Sequence, residues 1–469
     1  MSKGSCQGCL DRDAVIADLQ QQLAALQAEV RELQARLGQN ASNSSLPPSA
    51  NPPQAPKPVT KKPSPRRPGA QPGHAPQTRR RYPPDRLQRI ITFVPDTCGY
   101  CQSPLPKHQG PHDPEPRWHQ VAELPELTAH ITEYQGHGRR CSCCGDITWA
   151  LIPPDIRAHS IGPRFTAVLS YFSACHHVSR RGVEEIAEQV FAAEVALGTV
   201  VNLEQDVSQS LAPAHAEAAC AVREAEVKHA DETSWKQGGQ KCWLWLGATA
   251  MVAFFVIHAR RSAAGLRALL GETIHGIVCS DRWGVYQRIA VECRQLCWAH
   301  LKRDFQKCVD RGGAAVAIGS GGLAVVQRLF ERWHRFRGGG RDRPSLQVQM
   351  APVQQELRAL LERGCVCADS KVATFCRNVL AVEAALWTFV RVEGVEPTNN
   401  HAERLQRRAV LWRKNAFGSR SEAGCRFVER MLTVVQTLRL QQRPVLAYLQ
   451  RAVEAHRAGL PAPKLLPSV

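Results

Sequence analysis

The sequence predicts a multidomain α/β protein with an N-terminal coiled coil and a small metal-binding module. Three observations carry this. A 3.5-residue apolar period lies near the N-terminus, short β-branched and aromatic runs ending in acids fall within residues 226–310, and an Ala/Leu-rich stretch without strand signals follows over 311–392. The 469 residues allow about three compact units with connectors, and 43% hydrophobic residues exclude wholesale disorder. Lys and Arg number 60 against 42 Asp and Glu, a formal charge of +18 that favours a polyanionic partner, with nucleic acid the commonest.

Residues 1–40 form the coiled coil. Ile16, Leu19, Leu23, Leu26, Val30, Leu33 and Leu37 alternate steps of three and four, and Gly38 and Asn40 end the seam. A lone helix of this length is marginal in water, so the seam needs a partner, and a second copy of the chain fits it. Residues 41–92 are a linker. Thirteen prolines between Pro47 and Pro84 forbid regular structure, and ten Lys/Arg against Asp85 alone make residues 51–90 a basic tether. Residues 93–150 carry paired cysteines, and 151–225 read helical. Within the latter, Val183, Ile186, Ala187, Val190 and Phe191 precede a break at Gly198, which reads first as an ordinary helical hairpin, with a DNA-binding helix-turn-helix as the alternative.

From residue 226 the pattern changes. A short strand over 227–230 ends at Asp231, residues 242–257 supply two strands, 262–270 a helix, and 276–280 a strand ending at Asp281. A short strand over 295–298 leads into a basic helix through His300, Lys302, Arg303 and Phe305. Residues 226–310 are thus a first part of a core, 311–392 a helical insertion broken near Gly338, and 393–440 a second part with a helix after Asn399-Asn400. Residues 441–469 are a tail.

Met1–Leu10 is polar and lacks the apolar region of a secretory signal, and the longest uncharged apolar run, 242–257, is shorter than the roughly 18–20 residues of a spanning helix. These features predict a cytoplasmic protein without a membrane partner. Its 18 cysteines are then expected to be reduced, so clustered pairs suggest metal before disulfides.

Cys98-Gly-Tyr-Cys101 and Cys141-Ser-Cys-Cys144 each bring two thiolates within reach of one ion, and four match a tetrahedral structural Zn2+ site. A small β-rich module is expected to fill the 39 residues between the pairs, with the metal replacing a core so short a segment cannot build. Cys143 competes with Cys144, which the spacing favours. Cys6 and Cys9 form a third pair without a mate.

Asp231 and Asp281 each follow an apolar strand, and Glu403 opens a helix. Carboxylates at strand ends converge at one sheet edge, and such hard oxygen ligands suit Mg2+ or Mn2+. Two ions about 3.5–4 Å apart clamp the attacking and leaving oxygens of a phosphodiester displacement. Asn400, Glu403 and Arg407 share a helix face, and residues 401–443 hold ten Lys/Arg against three acids. Lys302, Arg303, Arg404, Arg407, Arg408, Arg413 and Lys414 are the candidate DNA-binding residues, gripping phosphates beside the metal.

With these residues in place, the chain resembles the insertion-sequence-66 family of DDE-type bacterial transposases. The carrying segments are Asp231-Glu232-Thr233, Ser280-Asp281-Arg282-Trp283-Gly284-Val285-Tyr286, Cys297-Trp298-Ala299-His300-Leu301-Lys302-Arg303-Asp304-Phe305, Asn399-Asn400-His401-Ala402-Glu403-Arg404 and Arg413-Lys414-Asn415. The resemblance implies an RNase H-like mixed sheet interrupted by an all-helical insertion, with Asp231, Asp281 and Glu403 as the three acidic positions. It implies metal-assisted cleavage at element ends, attack of the freed 3′-hydroxyl on target DNA, and room for accessory transposition proteins. The chain departs from the family after Asp281, where Arg-Trp-Gly-Val-Tyr replaces an immediate Gly-Tyr, and after Glu403, where Gln406, Arg407 and Arg408 replace a more apolar stretch. His300 touches DNA or supports the core. A zinc-dependent DNA-binding regulator explains the charge and cysteines but not the placed acids; a nuclease without strand transfer differs only in its products.

Overall fold

The protein is described here by a computed structural model covering residues 7–37, 81–108, 110–111, 113–339 and 342–467. Cys6 and linker residues 41–80 lie outside the described residues. Contacts divide the chain into two units, Pro56–Ala129 on one hand, and Met1–Ala55 with His130–Val469 on the other.

In the second of these, the seam of residues 16–37 lies on one helix, α1 (Gln7–Leu37). Ile16, Leu19, Leu23, Leu26 and Val30 are all exposed on it. The unit Pro56–Ala129 is extended where described. Tyr82 and Gln120 exchange two hydrogen bonds, of 2.8 and 3.2 Å, and Arg81 stacks on Trp118. Among the described residues of the gap between the cysteine pairs, strand structure is confined to its end. The gap's apolar side chains Val121, Leu124 and Ile131 are exposed. Its one regular strand among the described residues is β1 (Gly138–Arg140), which pairs antiparallel with β2 (Ile147–Trp149) beyond the second cysteine pair.

Five helices follow: α2 (Pro154–Arg157), α3 (Pro163–His176), α4 (Arg180–Phe191), α5 (Leu197–Ser210) and α6 (Ala212–Glu224). Local chemistry starts them. Pro163 takes a position where its missing N–H is not needed, and the Ser179 hydroxyl accepts the Gly182 N–H, 3.1 Å. The break between α4 and α5 is not at Gly198, which lies in the first turn of α5. It falls over residues 192–196, where Ala192 adopts φ +49° and closes α4 onto the carbonyls of Ala187 and Glu188.

The centre is a five-stranded mixed sheet of β3 (Val227–Gln237), β4 (Gln240–Ala248), β5 (Ala253–His258), β6 (Ile277–Ser280) and β7 (Arg294–Leu296), in the order β5-β4-β3-β6-β7. Between β5 and β6, α7 (Ala263–Leu270) lies on β4 and β5. Gly265 permits that approach, since a Cβ there would stand 2.5 Å from the Trp245 ring. β3, β4 and β5 pair antiparallel, whereas β3, β6 and β7 pair parallel. β3 does not stop at Asp231, because its pairing with β4 continues to Gln237 and places Asp231 opposite Leu246 in mid-strand.

After β7 the chain leaves the sheet through α8 (Trp298–Arg311), α9 (Ala315–Arg337), α10 (Arg343–Cys365), α11 (Ser370–Leu380) and α12 (Thr388–Arg391). This insertion owns a core of Leu, Val and Trp residues, among them Trp298, Trp333, Leu357 and Phe389. It is fastened to the sheet by Gln295, whose amide donates to the Leu386 carbonyl and accepts the Phe389 N–H. The chain returns on α13 (Asn400–Ala416) and α14 (Glu422–Leu440). α14 covers the open edge of the sheet: Thr437, Thr433 and Glu429, one helical turn apart, accept the outward N–H groups of Ala253, Phe255 and Ile257 at 3.0, 2.9 and 2.5 Å. Residues 441–469 hold a packed helix rather than a free tail, α15 (Val445–Arg457), against α3 and α5, with Arg457 paired to Asp206 at 2.7 Å. Its buried face of Tyr448, Leu449, Ala452 and Val453 explains the docking. No helix among the described residues is long and apolar enough to cross a membrane.

Candidate active site

The parallel register aligns two of the acids. His229 stands opposite Cys279, and two residues further along each strand path come Asp231 and Asp281. Asp281 is the first residue past β6, and its Oδ1 accepts the Trp283 N–H at 2.9 Å. Glu403 lies in the first turn of α13, 37% exposed in its side chain. Asp231 reports the encounter. Loss of water pushes its carboxyl well above the usual carboxylate range, and the charges of Glu232, Asp281 and Glu403 push it the same way. The charges of acids from two distant segments thus reach Asp231.

A polar clamp fixes this arrangement. Asn399 Oδ1 accepts from His229 Nδ1 (2.8 Å), its Nδ2 donates to the Ala230 carbonyl (2.8 Å) and its backbone N–H points at Cys297 Sγ (3.1 Å). Its carbonyl accepts the Glu403 N–H at 3.2 Å. One buried residue, through its side chain and its backbone, thus ties the strand of Asp231, the start of α8 and the helix of Glu403. Burial lowers His229 to about 4, keeping the imidazole neutral at physiological pH. The Cys297 N–H donates to the Ser280 carbonyl and that of Trp298 to the Pro397 carbonyl, each 2.9 Å, closing the ring around Asp281.

Glu232, beside Asp231, has a buried side chain with a different task. Arg261 donates to it at 2.5 and 3.0 Å and Tyr286 Oη at 2.5 Å. Arg261 in turn stacks 3.9 Å from the Trp283 ring centre. Burial raises the Glu232 carboxyl while Tyr286 and Arg261 oppose it, so this acid is committed within the protein.

Glu403 Oε1 lies 3.5 Å from His300 Nδ1 and 3.6 Å from Arg303, too far for a good hydrogen bond. Both Glu403 Oε1 and His300 Nδ1 are buried without a hydrogen-bond partner. Unspent donor atoms beside an acid cluster fit a divalent cation, which would balance the charge and take the free lone pairs. Cys297 adds a thiol: its sulfur, one His300 nitrogen and one Glu403 oxygen all lie within 4.8 Å of one another.

Of the cations marked by sequence, Lys302 on α8 and Arg404, Arg407, Arg408 and Lys414 on α13 are exposed. Arg303 is directed towards Glu403. Arg413 is turned inward, its Nη1 donating to Thr233 Oγ1 and to the Ser234 carbonyl and hydroxyl at 2.5–2.9 Å. Gln406, in the polar stretch after Glu403, is buried and donates to the Leu244 carbonyl at 3.3 Å. Asn399, His229 and Cys297 escaped sequence reasoning. Only the Cys297-x-x-His300 spacing could have flagged one of them.

The cysteine pairs sit on two turns of the same design. In one, the Cys98 N–H donates to the Ser103 carbonyl and the Gln102 N–H to the Cys98 carbonyl, both 2.9 Å. In the other, the Cys141 N–H donates to Asp146 (2.7 Å) and the Gly145 N–H returns to Cys141 (3.0 Å). Gln102 and Gly145 both have positive φ, 60° and 81°. The Ser103 hydroxyl helps lower Cys101 to about 7, and the backbone N–H groups of Cys144 and Cys143 lower Cys141. Lowered thiols suit metal ligation. The two turns belong to separate units of the chain.

The sequence model of the transposase IS66 family matches residues 159–426, more than half of the chain. The chain belongs to the IS66 transposase family. The matched stretch runs from before α3 into α14 and contains all three acids. A second model, of a family of unknown function, covers residues 10–80. An uncharacterized protein, y4qI, of Sinorhizobium fredii (strain NBRC 101917 / NGR234) is 28% identical over 274 residues, 52% of this chain and 50% of that protein. This IS66-family chain therefore spans about half the length of the curated relative it matches.

Proposed function

We propose that the protein is a DDE-type transposase that cleaves DNA strands at the ends of an insertion sequence and joins them to target DNA. The observation that carries this is the placement of Asp231 and Asp281 at matching positions of the paired strands β3 and β6, with the helix of Glu403 tied to β3 through Asn399, in a chain of the IS66 family. The sheet order, antiparallel on one side of β3 and parallel on the other, supports an RNase H-like core with α8–α12 as its inserted helical domain. Asp231, Asp281 and Glu403 would hold Mg2+ or Mn2+ as a two-metal site. Such ions, when bound, supply Lewis acidity and neutralise charge on the phosphate.

The chain's own part is positional. Asn399 holds the Glu403 helix against the strand of Asp231. Lys302, Arg404, Arg407, Arg408 and Lys414 present cations to flanking phosphates, while Arg303 and Arg413 act nearer the site. Hydrolysis breaks a P–O3′ bond and leaves a 3′-hydroxyl. That hydroxyl attacks a target phosphodiester and displaces another 3′-oxygen, so no covalent protein–DNA link is required. Cys98, Cys101, Cys141 and Cys144 would bind one structural Zn2+, and the exposed seam of α1 would pair copies of the chain. DNA, both terminal repeats and target, is the partner, with accessory transposition proteins alongside.

The test is a strand-transfer assay with purified protein, Mg2+ and the DNA flanking its own gene. Joined products are expected. Nicks without joining would indicate a nuclease, and salt-sensitive binding without any cleavage would indicate a regulator.

A further inference from the structure

We propose that Cys297, His300 and Glu403 form a site for a thiophilic divalent cation of the Zn2+ class, and that filling it weakens the hard-ion site at the acids. The donor set is the reason. A thiol, an imidazole and a carboxylate lie within 4.8 Å of one another, and His300 Nδ1 is already 3.5 Å from Glu403 Oε1. A tetrahedral ion with bonds of about 2.0–2.3 Å spaces its ligands by roughly that much. Cys297 directly precedes α8 and His300 lies in its first turn, so the Cys-x-x-His spacing turns both donors to one side.

Two further features favour metal over simple packing. His300 Nδ1 and Glu403 Oε1 are buried and unbonded, so both keep free lone pairs for an ion. The Asn399 N–H aimed at Cys297 Sγ, 3.1 Å away, is the outer-shell support that steadies a metal-bound sulfur. Arg303 reaches the same Glu403 oxygen at 3.6 Å and is the group an ion would displace.

The donors also select the ion. Sulfur and nitrogen suit Zn2+, whereas Asp231 and Asp281 offer only the oxygens Mg2+ prefers. Zn2+ on Glu403 Oε1 would occupy its lone pairs and set a second divalent charge beside the acids. The Mg2+ concentration needed for half-maximal cleavage should then rise. That consequence rests on the proposed transposase function; the binding does not.

Binding is tested on the full chain by Co2+ titration, reading bound equivalents and thiolate-to-cobalt charge-transfer absorption. Cys297→Ser should lose an equivalent that Cys141→Ser retains, and His300→Ala gives a second reading should the first variant not fold. Wild-type equivalents in both Cys297→Ser and His300→Ala would overturn the site. In the cleavage arm, Zn2+ should raise the Mg2+ requirement of the wild type about tenfold or more, the usual scale for disturbing a metal's ligand shell. It should leave that of Cys297→Ser unmoved, each variant being compared with itself. Equal Zn2+ sensitivity in both proteins would overturn the competition. A wild type that never cleaves with Mg2+ would count against the transposase function, while the Co2+ titration still decides the site.

Discussion

The cysteine turns and the acids proposed as metal ligands are assembled by opposite routes. Each cysteine turn is local: two backbone hydrogen bonds within six residues and one positive φ present the thiols. The acid cluster is long-range. Asp231 and Asp281 are aligned because β3 and β6 pair in one register, and Glu403 joins them because the chain returns from the helical insertion at Asn399. A local ligand set survives damage elsewhere in the fold, whereas a long-range set depends on every element that delivers it.

The largest expected effect concerns delivery of the acids. Asp281→Asn and Glu403→Gln should each lower Mg2+-supported cleavage about a hundredfold or more, because a lost ligand forfeits several kcal/mol of charge stabilisation. Glu396→Gln should remain active, since Glu396 is ion-paired with Arg337 and partly exposed. A cleavage assay on folded variants in which Glu396→Gln is dead and Glu403→Gln normal would move the third ligand.

A smaller loss is expected at Asn399, which touches no acid carboxylate. Asn399→Ala should lower Mn2+ affinity about tenfold to a hundredfold, the scale for losing a group that orients metal ligands. The zinc held by the cysteine pairs should stay unchanged. Calorimetric Mn2+ titration beside metal analysis separates the two; equal loss of both metals would mean a general folding defect and erase the contrast.

The reciprocal change is Cys141→Ser. Chelation studies should find one zinc fewer per chain, while the Mn2+ affinity of the acid cluster stays within about twofold, as expected of sites without shared partners. A matching drop in Mn2+ affinity would show the two regions to be coupled.

The smallest effect is on stability. Asp231 has a folded pKa above its unfolded one, so protonation stabilises the metal-free fold at low pH, and that stabilisation is lost as pH rises through the folded value. Asp231→Asn should therefore raise the melting temperature of metal-free protein at neutral pH, by roughly 2–4 °C for each kcal/mol of relieved repulsion. It should also abolish the rise that Mg2+ gives the wild type. A melting temperature lowered by Asp231→Asn would contradict the repulsion.

Much of this molecule was legible before folding. The two strands within 242–257, the strand ending at Asp281, the helix of Glu403 and the insertion broken at Gly338 all follow from hydrophobic period and turn residues. Asp231 was misplaced within its strand. The pairing of β3 with β4 carries the strand past the point where the apolar run ends, and cross-strand partners are invisible to a local pattern. Of the β-rich module expected between the cysteine pairs, the described residues show β1 alone, and Val121, Leu124 and Ile131 are exposed.

By itself the sequence determined the local elements: the heptad seam, the cysteine spacings and the apolar runs that become strands. These depend on neighbours a few residues apart, where side-chain period and backbone preference act directly. Only the tertiary structure decided the rest. Asn399 became a clamp because His229, Ala230, Cys297 and Glu403 surround it. Arg413 turned inward, and α14 threonines sealed β5. Apart from the Asn399–Glu403 bond at the start of α13, each of these is a hydrogen bond between residues more than 100 positions apart, set by sheet register and helix packing, which no single stretch of chain encodes.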